Sequence, residues 1–174
     1  ETWLTHFSVG SLLDMRGISA GIENSNYFVD TTGGRFVLTL FESLAAAPLA
    51  FYLALQVRLA EAGFPCPRPQ ATRDGRLQQP LAGKPAALLS RLPGAPIDLA
   101  APAHCREIGR QLARFHLLTA RFAHLPPHSR DIAWRRDAAA RLAPRLPREQ
   151  QELLVRALAV DTALPWPELP QGLI

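Results

Sequence analysis

A chain of 174 residues holds material for one domain with a sizeable core or for two small lobes. Its apolar fraction of 48% and charged fraction of 20% are those of a globular protein, and no run approaches the roughly 18 consecutive apolar residues of a membrane span. The net charge of +4 does not mark a nucleic-acid binder, because the arginines are scattered from Arg16 to Arg156, Lys84 is the only lysine, and no dense basic stripe with interleaved aromatics appears.

Residues 1–8 read as the end of a helix, with Trp3, Leu4 and Phe7 on one side. The opening Glu1-Thr2-Trp3-Leu4 has neither an initiator Met nor the basic-then-apolar layout of a signal peptide, so a trimmed or incomplete N-terminus is expected. Leu12 to Ile18 suits a short strand, and the polar, glycine-led stretch 21–26 suits a loop. Tyr27 to Asp30 and Arg35 to Phe41 are β runs, with Thr31-Thr32-Gly33-Gly34 as the hairpin turn between them. Residues 12–42 thus form a three-stranded meander. Pro48 to Ala62 reads as a helix stopped by Gly63, with Leu49, Leu53, Gln56 and Leu59 marking one face. Pro65, Pro67 and Pro69 force an extended segment, a hairpin is expected across Arg73 to Arg76, and Pro85 to Leu92 reads as a buried strand. Beyond Pro93-Gly94 only helices are expected, over 102–122, 131–143 and 148–163. Ile108, Leu112, Phe115 and Phe122 share a face of the first.

The stretch 21–26 carries the most chemistry. Gly21 permits close backbone approach, and Glu23, Asn24, Ser25 and Asn26 follow it; Asn24 and Asn26 are the chain's only asparagines. Main-chain N–H groups with short polar side chains hold phosphate oxygens, and a loop joining two antiparallel strands is how kinase-like folds cover ATP. A polar turn whose side chains only satisfy backbone groups is the plainer alternative. On the strand 35–41, period 2 puts Arg35, Val37, Thr39 and Phe41 on one face and Phe36, Leu38 and Leu40 on the other. In kinase-like folds a residue of this strand roofs the adenine and a lysine two positions on reaches the phosphates. Val37 suits the roof; Thr39 stands at the lysine position.

The text "RGISAGIENSNYFVDTTGGRFVLTLFE" closely resembles the bacterial homoserine kinases of the aminoglycoside phosphotransferase superfamily. The resemblance continues through "LAEAGFPCPRPQATRDG", "GKPAALLSRLPG" and "PAHCREIGRQLARFH", and closes at "LPQGLI". It implies an α+β, protein-kinase-like fold. Residues 1–93 would form a small β-rich N-lobe with one helix, and 94–174 the first part of a helical C-lobe. It also implies ATP as cofactor, L-homoserine as acceptor, and a nucleotide site from Gly21, Glu23, Asn24, Ser25, Asn26, Val37 and Thr39, with Ser90 and Leu92 at the hinge. In that family a stretch like "HADLFRDNVLF" follows, supplying the catalytic Asp and the Mg²⁺-binding Asn. The sequence stops at Ile174, so the catalytic and Mg²⁺ groups are expected beyond it and the chain alone is expected to be inactive. The lysine's helix glutamate partner is absent too, since 48–62 holds only Glu61.

Other candidates carry less. Lys84 reads as a solvated turn residue, and His116 as a packing or orienting residue at the edge of an apolar face. Arg135 and Arg136, with Asp131 and Trp134 nearby, suit a substrate carboxylate or simply a solvated helix start. Cys66 and Cys105 have neither metal-ligand nor disulfide spacing, which fits a reduced, cytoplasmic setting. A related kinase for choline or an aminoglycoside, and a truncated, non-catalytic nucleotide-binding or interaction module, are the competing expectations.

Overall fold

The computed structural model describes residues 1–120, 130–165, 168 and 173. The alternating stretch near the start folds as β1 (Leu12–Ile18), β2 (Asn24–Thr31) and β3 (Gly34–Phe41), all antiparallel. β4 (Ala86–Ser90) lies along β3 and gives the sheet order β1-β2-β3-β4. The proline-rich segment runs beside β4, where Pro69 bridges to Leu89 and the Gln70 and Ser90 amides reach the carbonyls of Leu88 and Arg68. Proline lacks the N–H of a ladder residue, so this stretch stays extended without becoming a full strand.

Each face of the sheet has its own core. On one, Val29, Phe36, Leu38, Ala86 and Leu88 pack with Leu4, Phe7 and Val9 from the N-terminal segment. On the other, Ala87 and Leu89 pack with Leu49 and Leu53 of α1 (Ala46–Glu61), with Phe41 and Leu44 against them. Burial of a leucine such as Leu88, which is 0% exposed, contributes about 1.5–3 kcal/mol before entropy. α1 ends at Gly63, whose φ of +70° suits a residue without Cβ. The Arg114 guanidinium of α2 (Pro102–Thr119) then donates to the carbonyls of Ala62 and Gly63 at 3.1 and 3.0 Å. Carbonyls that the helix leaves unpaired are thereby satisfied.

The chain divides into two compact units, Glu1–Leu118 and Thr119–Leu173. In the second, Asp131 caps α3 (Ile132–Leu142) by accepting from the Trp134 amide at 2.9 Å. Arg135 holds α4 (Arg148–Ala163) through both oxygens of Asp161, at 3.0 and 3.1 Å.

Three expectations change, and one face is found uncovered among the described residues. The N-terminal segment makes only a 3₁₀ turn, Thr2–His6, because Phe7 leaves it to bridge Thr72 in extended form. The polar stretch is shorter than 21–26, because Asn24 pairs with Phe41 and already belongs to β2. The Arg73–Arg76 turn closes with Thr72 N–H on the Arg76 carbonyl, without flanking strands. On α2, Ile108 and Leu112 are 68% and 48% exposed, so the apolar face they form is not core among the described residues; Phe122 lies outside those residues. The sheet ends near the expected lobe boundary at 93–94, while the first compact unit runs on through most of α2. Among the described residues no helix is long and apolar enough to cross a membrane.

Candidate functional site

Strand register decides which side chains meet. Asn24, Asn26 and Phe28 of β2 pair with Phe41, Thr39 and Val37 of β3, and Val37 pairs with Leu89 of β4. All stand on the α1 side of the sheet. Thr39, 8% exposed, donates to Asn26 Oδ1 at 2.8 Å, and the Asn26 amide nitrogen donates to the Asn24 carbonyl at 3.4 Å. A cleft of about 530 Å³ lies behind them, apolar except for Asn24, Asn26, Thr39, Tyr52, Gln56 and Cys66 on its wall. Gln56 thus faces the same space as Thr39. It was visible in the sequence as the one polar residue on the α1 stripe, though not as part of the site. Thr39 and Gln56 thus set neutral hydrogen-bonding groups on the wall of one cleft. Burial raises the pKa of the Cys66 thiol, which lies 3.6 Å from the Gln56 carbonyl.

Ser25 stands on the opposite face from Asn24 and Asn26. Its hydroxyl donates to Glu42 Oε1 at 2.6 Å, and Lys84 donates to the other Glu42 oxygen. Lys84 and, secondarily, Ser25 hold the Glu42 carboxyl below its ordinary range. The half-exposed Lys84 is therefore ion-paired rather than simply solvated. Gly21 (φ +104°), Asn24, Ser25 and Asn26 edge a shallow hollow with Gly17, Ser19 and Tyr27; Glu23 is exposed on the turn before β2.

At the hinge end, Ser90 is tied to its neighbour. Its amide donates to the Arg68 carbonyl, and its hydroxyl accepts from the Arg68 amide, each at 2.8 Å. The Arg91 amide donates to Arg35, and the Arg91 guanidinium covers Phe28 at 3.9 Å. Leu92 is 44% exposed. In the second unit, Arg135 is committed to Asp161, Arg136 donates to Thr162 at 3.1 Å, and Asp131 serves as a helix cap. These intramolecular contacts occupy both arginines and leave the substrate-carboxylate expectation untested. The His116 and Phe115 rings meet in a T-shaped arrangement, centroids 6.2 Å apart. Among the described residues no three His, Cys, Asp or Glu side chains gather as a metal site.

A family model described as the phosphotransferase enzyme family (APH) matches residues 14–174. The chain belongs to that family. Curated relatives of this family member include proteins named homoserine kinase. That of Methylobacillus flagellatus is 43% identical over 174 residues, with 100% of this chain and 54% of the relative covered. That of Paraburkholderia phytofirmans is 42% identical, with 98% and 53% covered. The chain spans about half the length of the curated relatives it matches. Among solved structures, a spectinomycin phosphotransferase in complex with ADP and spectinomycin matches at a TM-score of 0.58 and 15% identity, over 80% of this chain and 44% of that one. The likeness places the α+β arrangement within the protein-kinase-like fold.

Proposed function

We propose that this chain is the nucleotide-binding part of an ATP-dependent kinase that phosphorylates the hydroxyl of L-homoserine to O-phosphohomoserine, in threonine biosynthesis in the cytoplasm. The observation that carries the substrate is 43% identity, along the whole chain, to a protein named homoserine kinase. The site fits a nucleotide by donor chemistry. Asn24 and Asn26 present neutral amides beside Gly21, and Val37 and Leu89 form an apolar ceiling on the same face. With the Ser90 and Arg91 N–H groups already used, the hinge contribution falls to the Leu92 backbone and the carbonyls of Ser90 and Arg91.

Bound Mg²⁺-ATP would supply the transferable γ-phosphoryl group. This chain's part is to hold and orient it: main-chain and side-chain amides of 21–26 on the phosphates, Val37 over the base, and the Thr39–Asn26 hydrogen bond fixing the Asn26 amide. Arg135 and Arg136 have no role in this reading.

Calorimetry with ADP and MgCl₂ tests nucleotide binding directly, and ATP consumption by the protein from the complete reading frame tests the acceptor. Turnover with L-homoserine and none with choline or an aminoglycoside is expected. Turnover with choline alone would replace the substrate, and absence of nucleotide binding would remove the kinase reading in favour of a non-catalytic interaction module.

A further inference from the structure

Ser25 lies between two residues that the proposed site displays, yet its side chain points away from them and into an ion pair. Lys84 reaches Glu42 from the turn before β4, and Glu42 in turn receives the Ser25 hydroxyl at 2.6 Å. Glu42 directly follows Phe41, the residue that pairs with Asn24. The chain Lys84–Glu42–Ser25 therefore spans the ends of β2, β3 and β4 at the margin where the Gly21 turn enters the sheet. Terminal strand pairs fray because each has a neighbour on one side only. A side-chain brace across this margin opposes that fraying.

Other cations are poorly placed for the same margin. Arg16 turns toward Asp14, at 3.5 Å, and lies over Phe28 at 5.8 Å, away from the turn. Arg35 and Arg91 stand at the hairpin and hinge end. Lys84 alone among these reaches the loop end, and it does so on the face opposite Asn24 and Asn26.

We infer that Glu42 is a positioning residue for phosphate binding: anchored by Lys84, it fixes Ser25 from behind so that Asn24, Asn26 and the Gly21 turn hold their places on the front. The inference rests on the nucleotide reading above. It separates two requirements that a strand lysine meets at once, since the cation here orders the loop without facing the ligand.

Affinities of the 174-residue chain for ADP and for adenosine, with MgCl₂ present, test it. Adenosine lacks the phosphates, so it reports base binding alone. Glu42→Gln and Lys84→Met are expected to weaken ADP by about threefold to fivefold, on the scale of one exposed charged interaction, and to leave adenosine unchanged. Lys84→Arg retains ADP affinity. In a Ser25→Ala background, Glu42→Gln adds no further loss, because both act through one hydrogen bond. Unchanged ADP affinity in Glu42→Gln overturns the inference and leaves the nucleotide reading standing. Equal loss of ADP and adenosine, with a lowered melting temperature, also overturns it, by showing a general structural role. A wild-type chain that binds neither ligand overturns the nucleotide reading itself, and the inference with it.

Discussion

Thr39 donates its hydroxyl hydrogen to Asn26 Oδ1 across a directly paired position of β2 and β3, at 2.8 Å. A buried threonine thereby selects the Asn26 orientation, with the carboxamide oxygen inward and the nitrogen toward Asn24. Thr39→Val keeps the shape and removes the donor. It is expected to lower stability by about 1 kcal/mol, measured by urea denaturation, and to weaken ADP binding.

Thr39 and Gln56 line one cleft, so a charged pair can be installed there. Thr39→Lys alone buries an ammonium group beside neutral side chains and is expected to destabilise. Combining it with Gln56→Glu should recover part of the loss, with a coupling of about 1–3 kcal/mol in a double-mutant cycle. Strict additivity of the two single changes would show that the side chains do not meet.

Gly33 and Gly17 lie in one sheet but respond oppositely to a methyl group. A Cβ at Gly33 would stand 2.5 Å from the Val9 carbonyl oxygen, which is backbone and cannot swing aside, whereas at Gly17 it meets nothing within 4 Å. Gly33→Ala is expected to cost about 1–3 kcal/mol and Gly17→Ala less than about 0.5 kcal/mol, compared by thermal melts.

Much of this geometry was legible in advance, for a physical reason. Successive side chains of any strand point to opposite faces, so Val37 and Thr39 could be placed on one side and Phe36 and Leu38 on the other before any coordinates. The start of β2 was not legible, because asparagine is a poor strand former and only the pairing of Asn24 with Phe41 makes it one. Had that pairing been known, the same alternation would have turned Ser25 away from Asn24 and Asn26. The partners of Arg135 and Lys84 come from 26 and 42 positions away in the chain, beyond the reach of any local pattern. Ile108 and Leu112 show the converse limit: helical spacing defines an apolar face without saying what, if anything, covers it.

On α2, Glu107 receives the Arg110 guanidinium and the Gln111 amide, Arg110 foremost, and its carboxyl is lowered from the ordinary 4.5 to about 2. A depressed carboxylate contributes stability that is present above pH 4.5 and is lost as pH falls toward about 2. The Glu107 side-chain carbon resonance should titrate in that low window. Arg110→Ala is expected to move the midpoint back toward 4.5; an unmoved midpoint would assign the shift to another neighbour.

Arg114 closes the end of α1 from a distance of 51 residues, and its removal leaves two carbonyls to water. Arg114→Met is expected to cost about 1 kcal/mol, with hydrogen exchange accelerating first in the last turn of α1.

The β2–β3 ribbon is pinned at both ends, by Gly33 against Val9 at the hairpin and by Ser25 on Glu42 at the other margin. A single residue inserted or deleted within one of the two strands, without a compensating bulge, would turn the side chains between that point and the next pin to the opposite face. Point substitutions along the ribbon can be absorbed one at a time. Changes in its length cannot, so divergence within this segment should proceed by replacement at constant spacing.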